Sequence, residues 1–195
     1  MKSIFSILPF LIPFLASSQS AYQDSMKAYI QDYVVKHEVV SAADKQFFHF
    51  YPVNENYRVV ARFTPASDGK WFNMETSGAI KKTFRVYGVL KFTIHDTTAT
   101  LNLYQSQNLM GSEDYKDYLF LPFTDLSSGE TTYAAGRYLD LNIQDIKNGT
   151  VVLDFNKAYN PYCAYVSDKY NCPVPPRENH LSVHIAAGEQ TFAKP

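Results

Sequence analysis

The sequence has 195 residues, and its 18 lysines and arginines nearly balance its 19 aspartates and glutamates. A nucleic-acid-binding protein would show a basic stretch or stripe, and the sequence has none, so we expect no nucleic-acid partner. The 15 tyrosines and 14 phenylalanines are typical of β-strands and of amphipathic contact surfaces.

Residues 1–18 have the pattern of a secretory signal peptide. Lys2 gives a basic start, residues 4–15 are mostly apolar, and residues 16–18 are small. A membrane anchor would need about 20 apolar residues, and this run is shorter and interrupted by proline. We therefore predict an exported protein, periplasmic or extracellular, whose mature chain has no membrane span and is one domain by size.

Residues 19–46 are predicted to form an N-terminal helical segment. Within it, Ala21–Val40 has the three- and four-residue spacing of an amphipathic helix that packs one face on the rest of the domain. A histidine on that apolar face is more often a hydrogen-bonded packing residue than a ligand. The residues with this spacing are Tyr22, Met26, Tyr29, Ile30, Tyr33 and His37.

From residue 47 the period changes to two, which predicts a single β-rich domain over residues 47–190. In Phe84–Ile94 the even-numbered residues are mostly apolar, so we expect one long strand with those side chains in the core. Gly88 predicts a bulge or bend within it. The pattern favours an antiparallel sandwich or partly open barrel of about eight to ten strands, with the helix packed on it.

The clearest predicted hairpin spans residues 138–156 and turns near Asn148-Gly149. A two-residue turn there would place apolar residues opposite polar ones. A three-residue turn with a left-handed Gly149 would instead pair Ile143 with Leu153 and keep one face apolar, so we favour it. The other face would then carry Asp140, Asn142, Asp154 and Asn156.

The segment 154–179 has no regular period and is predicted to be an ordered, proline-rich loop. It contains both cysteines of the chain. In an exported protein we expect Cys163 and Cys172 to form a disulfide. In the loop-entropy model, closing this short loop stabilises the fold by roughly 2.5–3 kcal/mol.

The same loop carries a resemblance to a known family. DFNKAYNPYCAY, NCPVPP and the upstream FYPVNENYRVVARF and AGRYLDL, in this order, resemble the bacterial domain of unknown function 1684 family. The similarity runs from about Phe47 to Glu189, nearly the whole predicted mature chain. It implies no particular reaction.

Polar and aromatic side chains concentrate around this loop without a recognisable catalytic set. Amides, carboxylates and phenols together suit a small polar ligand, so we predict a non-catalytic binding or accessory module. The alternative is architectural, because such residues in a proline-rich loop often bond their own backbone. The predicted ligand-binding residues are Arg137, Asp154, Asn156, Tyr159, Asn160, Glu178 and Asn179.

A competing hypothesis is a hydrolase acting on a glycan or small ester through a carboxylate pair. Catalysis by Cys163 is disfavoured because a disulfide would occupy its sulfur. The spacing of the cysteines and of His180 and His184 does not fit a zinc site, and we expect no metal and no cofactor. The oligomeric state stays open. The carboxylates considered for the hydrolase are Asp125, Asp140, Asp154 and Glu178.

Overall fold

The computed structural model describes residues 13–194, and their side chains from residue 21 onward. Most of the expected signal peptide therefore lies outside the described residues. The elements in chain order are α1 (Pro13–Lys36), β1 (Arg58–Pro65), β2 (Trp71–Met74), β3 (Lys82–Ile94), β4 (Thr97–Ser106), α2 (Gln107–Met110), β5 (Tyr118–Asp125), β6 (Arg137–Asn142), β7 (Thr150–Asp154) and β8 (His180–Leu181).

The eight strands form one strongly curled sheet with the shape of a half-barrel. The main path is β6-β5-β4-β3-β1-β7, with β2 added on β3 and β8 on β5. All pairings are antiparallel except the short parallel contact between β5 and β8. The prediction of a mainly β, partly open barrel with an N-terminal helix is therefore confirmed.

The helix α1 differs in its bounds from the predicted Ala21–Val40. It begins at Pro13 and ends at Lys36, so the last four residues of the prediction lie beyond the helix. Met26 is buried against the body of the domain, and Tyr22 and Tyr33 hydrogen-bond to residues far along the chain. Residues spaced three and four apart share one helix face, which is why these side chains meet the sheet and the loop together.

A β-bulge in β3 divides the strand into two parts that face opposite ways. The register with β4 shifts between Val86 and Gly88, leaving Tyr87 as the extra residue. The predicted bulge at Gly88 is confirmed, but the single shared face is wrong, because an extra residue reverses the alternation. Phe84 and Val86 belong to one apolar cluster, whereas Leu90 and the even positions after it belong to another.

The predicted hairpin between β6 and β7 is wrong. β6 pairs with β5 and β7 pairs with β1, so the two strands lie at opposite ends of the main strand path. The turn itself has two residues: Asn148 and Gly149 have φ of 53° and 72°, and Lys147 and Thr150 exchange backbone hydrogen bonds of 2.8 and 3.0 Å. Two consecutive positive φ values define a type I′ turn, not the expected glycine-bulge turn.

The strands bury two apolar clusters of unequal size. On β5 and β6 the odd-numbered leucines, such as Leu119 and Leu139, enter the large main core. Phe120 and Tyr138 alternate with them and enter a smaller second cluster on the other face. Asp140 shares the alternation of Tyr138, so the strand places its carboxylate beside the second cluster. The members of the second cluster are Met74, Phe84, Tyr104, Phe120 and Tyr138.

Candidate functional site: a tyrosine-lined cavity

A cavity of about 900 Å³ lies over the second apolar cluster. It is bounded by the C-terminal end of α1, by α2, by strands β3, β5 and β6, and by the loop from residue 159 to 173. Its volume is in the upper range of small-molecule sites, which are on the order of 300–1,000 Å³. The lining is mostly aromatic, with Tyr29, Tyr33, Phe84, Tyr115, Tyr118, Phe120, Tyr138, Tyr159, Tyr162 and Tyr170.

Asp140 is the centre of what we term the open cluster, formed by Asp140, Tyr118 and Tyr159. Both phenol hydroxyls donate to the same carboxylate oxygen, Oδ1, at 2.7 Å. The other oxygen, Oδ2, has no hydrogen-bond partner within the described residues. Asp140 lines the cavity, so a small molecule inside the cavity can contact this carboxylate.

The side chain of Asp140 is accessible to water-sized molecules, yet it is recessed among protein atoms. Burial therefore raises the pKa of the Asp140 carboxyl above its usual value, while the bonds from Tyr118 and Tyr159 partly oppose that rise. Burial also raises the pKa of both tyrosines well above 10.0, with the negative charge of Asp140 as a further cause, so both phenols remain proton donors.

A second carboxylate, Glu189, is the centre of what we term the closed cluster, formed by Glu189, Tyr33, Tyr165 and Asn160. The Tyr165 hydroxyl lies 2.7 and 2.8 Å from the two carboxylate oxygens, and Tyr33 donates to Oε2 at 3.3 Å. The Asn160 backbone N–H donates to Oε2 at 2.9 Å. Glu189 is fully buried, and this burial raises its pKa to about 7.

Tyr33 lies between the two clusters and contacts a residue of each. Its hydroxyl belongs to the closed cluster, while its ring lines the cavity with a centroid 6.2 Å from that of Tyr159. The helix α1 thereby connects the fully buried carboxylate to the accessible one. A movement of α1 would disturb both.

His37 follows the end of α1 and also lines the cavity. Its Nδ1 accepts a hydrogen bond from the Val40 backbone N–H at 3.2 Å, and its Nε2 is buried without a partner among the residues described. Burial, with a smaller contribution from Lys45, lowers the His37 pKa to about 4. The imidazole is therefore neutral at physiological pH and packs edge-on against Tyr165 with centroids 4.6 Å apart.

Among the seven predicted ligand-binding residues, the structure places Tyr159 in the cavity lining. Arg137 is instead fully buried, where it forms an ion pair of 2.9 Å with Asp125. Its guanidinium also donates to the backbone carbonyls of Ile185, Ala187 and Glu189. Arg137 thus connects β6 to the C-terminal segment.

Asp154 and Asn156 lie where α1 contacts the end of β7. The Asp154 carboxylate accepts from the Tyr22 hydroxyl and from the backbone N–H of Asn156. The Asn156 side-chain amide exchanges two hydrogen bonds of 2.9 Å with the backbone of Asn54. These contacts hold α1 and the segment before β1 to the end of β7.

The other three predicted residues, Asn160, Glu178 and Asn179, lie outside the cavity lining. The Asn160 side chain donates to the Gln190 carbonyl at 2.8 Å. Asn179 is fully buried, and its amide bonds the backbone of Asn102 and Pro122. Glu178 is exposed and is not a lining residue. The loop therefore uses most of its amides for internal bonds.

The sequence pattern places Asp140 on the polar face of the expected hairpin and among the candidate catalytic carboxylates, but not among the seven predicted ligand-binding residues. Tyr138 falls in the predicted hairpin and is expected there as a strand residue. The signal for the cavity was present in part, because Tyr29 and Tyr33 share one helix face and the alternation of β6 groups Asp140 with Tyr138. What was missing was the pairing of β6 with β5, which places Tyr118 next to Asp140.

The structure contains the expected disulfide between Cys163 and Cys172, whose Cα atoms are 6.3 Å apart. Cys172 and Pro173 form part of the cavity lining, so the disulfide fixes one side of the cavity. Over residues 13–194, no three His, Cys, Asp or Glu side chains come together in a way that could hold a metal ion. In the same range, no helix is long and apolar enough to cross a membrane.

The fold and cavity define the protein as a curled β half-barrel with one packed helix and an aromatic cavity beneath a disulfide-closed loop. The profile of the family described as "Protein of unknown function (DUF1684)" matches residues 45–190, and the chain therefore belongs to that family. No curated protein matches the sequence.

The solution NMR structure of an uncharacterized protein from Haloarcula marismortui is similar to this one. The two sequences are 26% identical, and the alignment covers 90% of this chain and 97% of the other, with a TM-score of 0.66. The half-barrel and its helix are thus a shared architecture, and the similarity indicates no reaction.

Proposed function

We propose that the protein is a non-catalytic binding or accessory module that holds a small polar ligand in the tyrosine-lined cavity. The observation that carries this proposal is the open cluster. A recessed carboxylate with one oxygen free of protein partners, in the described part of the chain, faces a cavity of ligand size.

The position of Asp140 disfavours its charged form, because burial raises the pKa of its carboxyl. A carboxylate loses hydration when it is recessed among aromatic rings, and the fold compensates this loss with two phenol hydrogen bonds to Oδ1 only. The buried carboxylate of Asp125, in contrast, has a guanidinium partner at 2.9 Å. Asp140 is exposed to solvent, so water reaches Oδ2, and a ligand that bonds Oδ2 would take the place of that water.

The hydrolase hypothesis needs two acids facing one substrate. Of the four carboxylates considered from the sequence, Asp140 lines the cavity, whereas Asp125 bonds Arg137 and Asp154 bonds Tyr22. Glu178 is exposed elsewhere. A catalytic pair in the cavity would have to recruit Glu38, the other carboxylate of its lining, and we therefore favour binding.

A matched pair of tryptophan variants tests the cavity. Asn108 on α2 lines the cavity, whereas its exposed neighbour Gln107 does not. Saturation-transfer NMR with mixtures of small sugars, amino acids, carboxylates and amines should detect ligands of the wild-type protein. Asn108→Trp should weaken any such ligand about tenfold or more, and Gln107→Trp should not. Equal binding by both variants, or no binding by the wild type, would contradict the proposal.

We further propose that the protein acts outside the cytoplasm, in the periplasm or the extracellular space. The signal-peptide pattern and the disulfide support this. Cleavage after Ser18 would retain Tyr22, Tyr29 and Tyr33, the α1 tyrosines that contact the body of the domain. Mass spectrometry of the protein from its native host should find the mature N-terminus near residue 19, and an intact Lys2-containing peptide in the functional protein would oppose export.

A further inference from the structure

We propose that the ligand of the cavity carries a positively charged amine or quaternary ammonium group, held by Asp140 and by the faces of the surrounding tyrosine rings. This inference rests on the proposed binding function and specifies the chemical class of the ligand. It is based on which hydrogen-bonding groups of the cavity lining already have partners within the protein and which groups a ligand can still contact.

The hydroxyl protons of four lining tyrosines are used within the protein. Tyr118 and Tyr159 donate to Asp140, and Tyr33 donates to Glu189. Tyr138 donates to the backbone carbonyl of Pro173. These residues therefore offer a ligand their ring surfaces more than their hydroxyl donors.

The aromatic rings next to Asp140 pack edge to face on one another. The rings of Tyr138 and Tyr159 are perpendicular with centroids 5.8 Å apart, and Phe120 meets Tyr138 at 74° and 4.7 Å. The face of an aromatic ring carries a partial negative charge, which attracts a cation within about 6 Å of the centroid. A carboxylate placed beside aromatic rings therefore favours a cation over an anion.

Two tyrosines of the lining already attract ammonium groups of the protein itself. The Lys157 amine lies 5.2 Å from the ring centroid of Tyr29, and the Lys169 amine lies 5.3 Å from that of Tyr170. The rings of this lining thus engage in cation–π contacts within the folded chain. A ligand cation would extend the same interaction to rings deeper in the cavity.

The lining carries two lysines and two carboxylates, and Asp140 is the charged residue that lining tyrosines bond directly. Lys36 is well exposed and bonds Asp32 at 2.9 Å. Lys82 and Glu38 are exposed residues of opposite charge. An anionic ligand that reached the rings of Tyr118 and Tyr159 would be repelled by the Asp140 carboxylate that both tyrosines bond.

Choline is a suitable probe, with its neutral carbon analogue, in which a quaternary carbon replaces the nitrogen, as the matched control. The two have nearly the same shape and differ in charge. Isothermal titration calorimetry and NMR shifts of Tyr118 and Tyr159 should show choline binding at least about tenfold more tightly than the analogue. Equal affinity for the two compounds would overturn the inference without any variant being needed.

Asp140→Asn removes the charge while keeping an oxygen that Tyr118 and Tyr159 can bond. It should weaken choline binding about tenfold and leave the neutral analogue unchanged, with an unaltered melting temperature as the check on folding. The matched control Glu178→Gln, at an exposed position, should bind choline as the wild type does. Choline binding that is insensitive to Asp140→Asn would overturn the inference.

The test separates this inference from the proposed function. If glucose or acetate shifts Tyr118 and Tyr159 and Asn108→Trp abolishes that shift, the cavity is a ligand site and the cationic class is wrong. If choline, its analogue, glucose and acetate all leave these resonances unchanged at millimolar concentrations, the cationic class is wrong, and the mixture screen with the Asn108→Trp pair then decides the cavity itself.

Discussion

The open and closed clusters are built from the same parts and differ in what surrounds them. In each, two tyrosine hydroxyls donate to one carboxylate: Tyr118 and Tyr159 to Asp140, and Tyr33 and Tyr165 to Glu189. The Glu189 carboxylate receives a further bond from a backbone N–H and has no exposed surface. Asp140 lacks that further bond and lines a cavity.

The two clusters show a tyrosine-bonded carboxylate in two settings, buried at Glu189 and accessible at Asp140. The closed cluster joins α1, the proline-rich loop and the C-terminal segment, so its hydrogen bonds stabilise the fold. The open cluster leaves one oxygen of an accessible carboxylate without a protein partner in the described structure, so a ligand in the cavity can replace water there. We therefore expect substitutions in the closed cluster to change the stability of the fold and substitutions in the open cluster to change ligand binding.

The largest loss of stability is expected at Arg137, which bonds the backbone carbonyl of Glu189 in the closed cluster. Arg137→Met would leave Asp125 buried without its cation and would free three backbone carbonyls. Breaking a buried ion pair from one side costs about 3–5 kcal/mol. Urea unfolding followed by circular dichroism should show this loss. A change below about 1 kcal/mol would mean that Arg137 does not anchor the C-terminal segment.

The next effect is the pH dependence caused by Glu189. Its pKa is about 7 in the folded protein against an ordinary 4.5, so the folded state binds the proton more tightly than the unfolded chain. The resulting stabilisation is fully present below about pH 4.5 and is lost as the pH rises through about 7. By linkage it amounts to about 3 kcal/mol.

Glu189→Gln removes this titration, and other groups contribute equally to both proteins. The free energy of unfolding of the wild type minus that of the variant should therefore fall between about pH 4.5 and about pH 7.5. Urea titrations at several pH values measure this difference. A difference that is constant across the range would show that Glu189 is not sealed from water as the structure indicates.

A smaller effect should distinguish two matched tyrosine substitutions. Tyr165→Phe removes a donor from a fully buried carboxylate, and we expect a cost of about 1–3 kcal/mol. Tyr159→Phe removes a donor from an accessible carboxylate, where water can replace it, so the cost should be about 0.5–1 kcal/mol. Thermal unfolding of both variants measures which substitution lowers the stability more. The reverse order would contradict the assignment of the open and closed clusters.

The sequence was sufficient for the features that depend on local patterns. Alternation predicted the β-rich domain, the three- and four-residue spacing predicted α1, and the cysteines predicted the disulfide. Gly88 correctly indicated a bulge, but the pattern did not show that the bulge reverses the faces of β3. Each of these features is determined by residues close together in the chain.

The cavity depends instead on pairings between distant residues. Asp140 and Asp154 were assigned to one face of a hairpin, whereas β6 and β7 lie at opposite ends of the main strand path. The polar residues that are conspicuous in the loop, such as Asn160 and Asn179, bond backbone groups of other segments. Tyrosines in strands are ordinary in sequence, and only the pairing of β5 with β6 brings Tyr118 to Asp140.

The most direct measurement follows the carbon-13 resonances of side-chain carboxyl groups while ligands from the screen are titrated into the protein. The Asp140 carboxyl carbon should shift in proportion to occupancy, and the Glu189 carboxyl carbon, sealed in the closed cluster, should shift much less. A ligand that binds and moves Glu189 while leaving Asp140 unchanged would contradict the account, as would a complete screen in which the Asp140 resonance never moves.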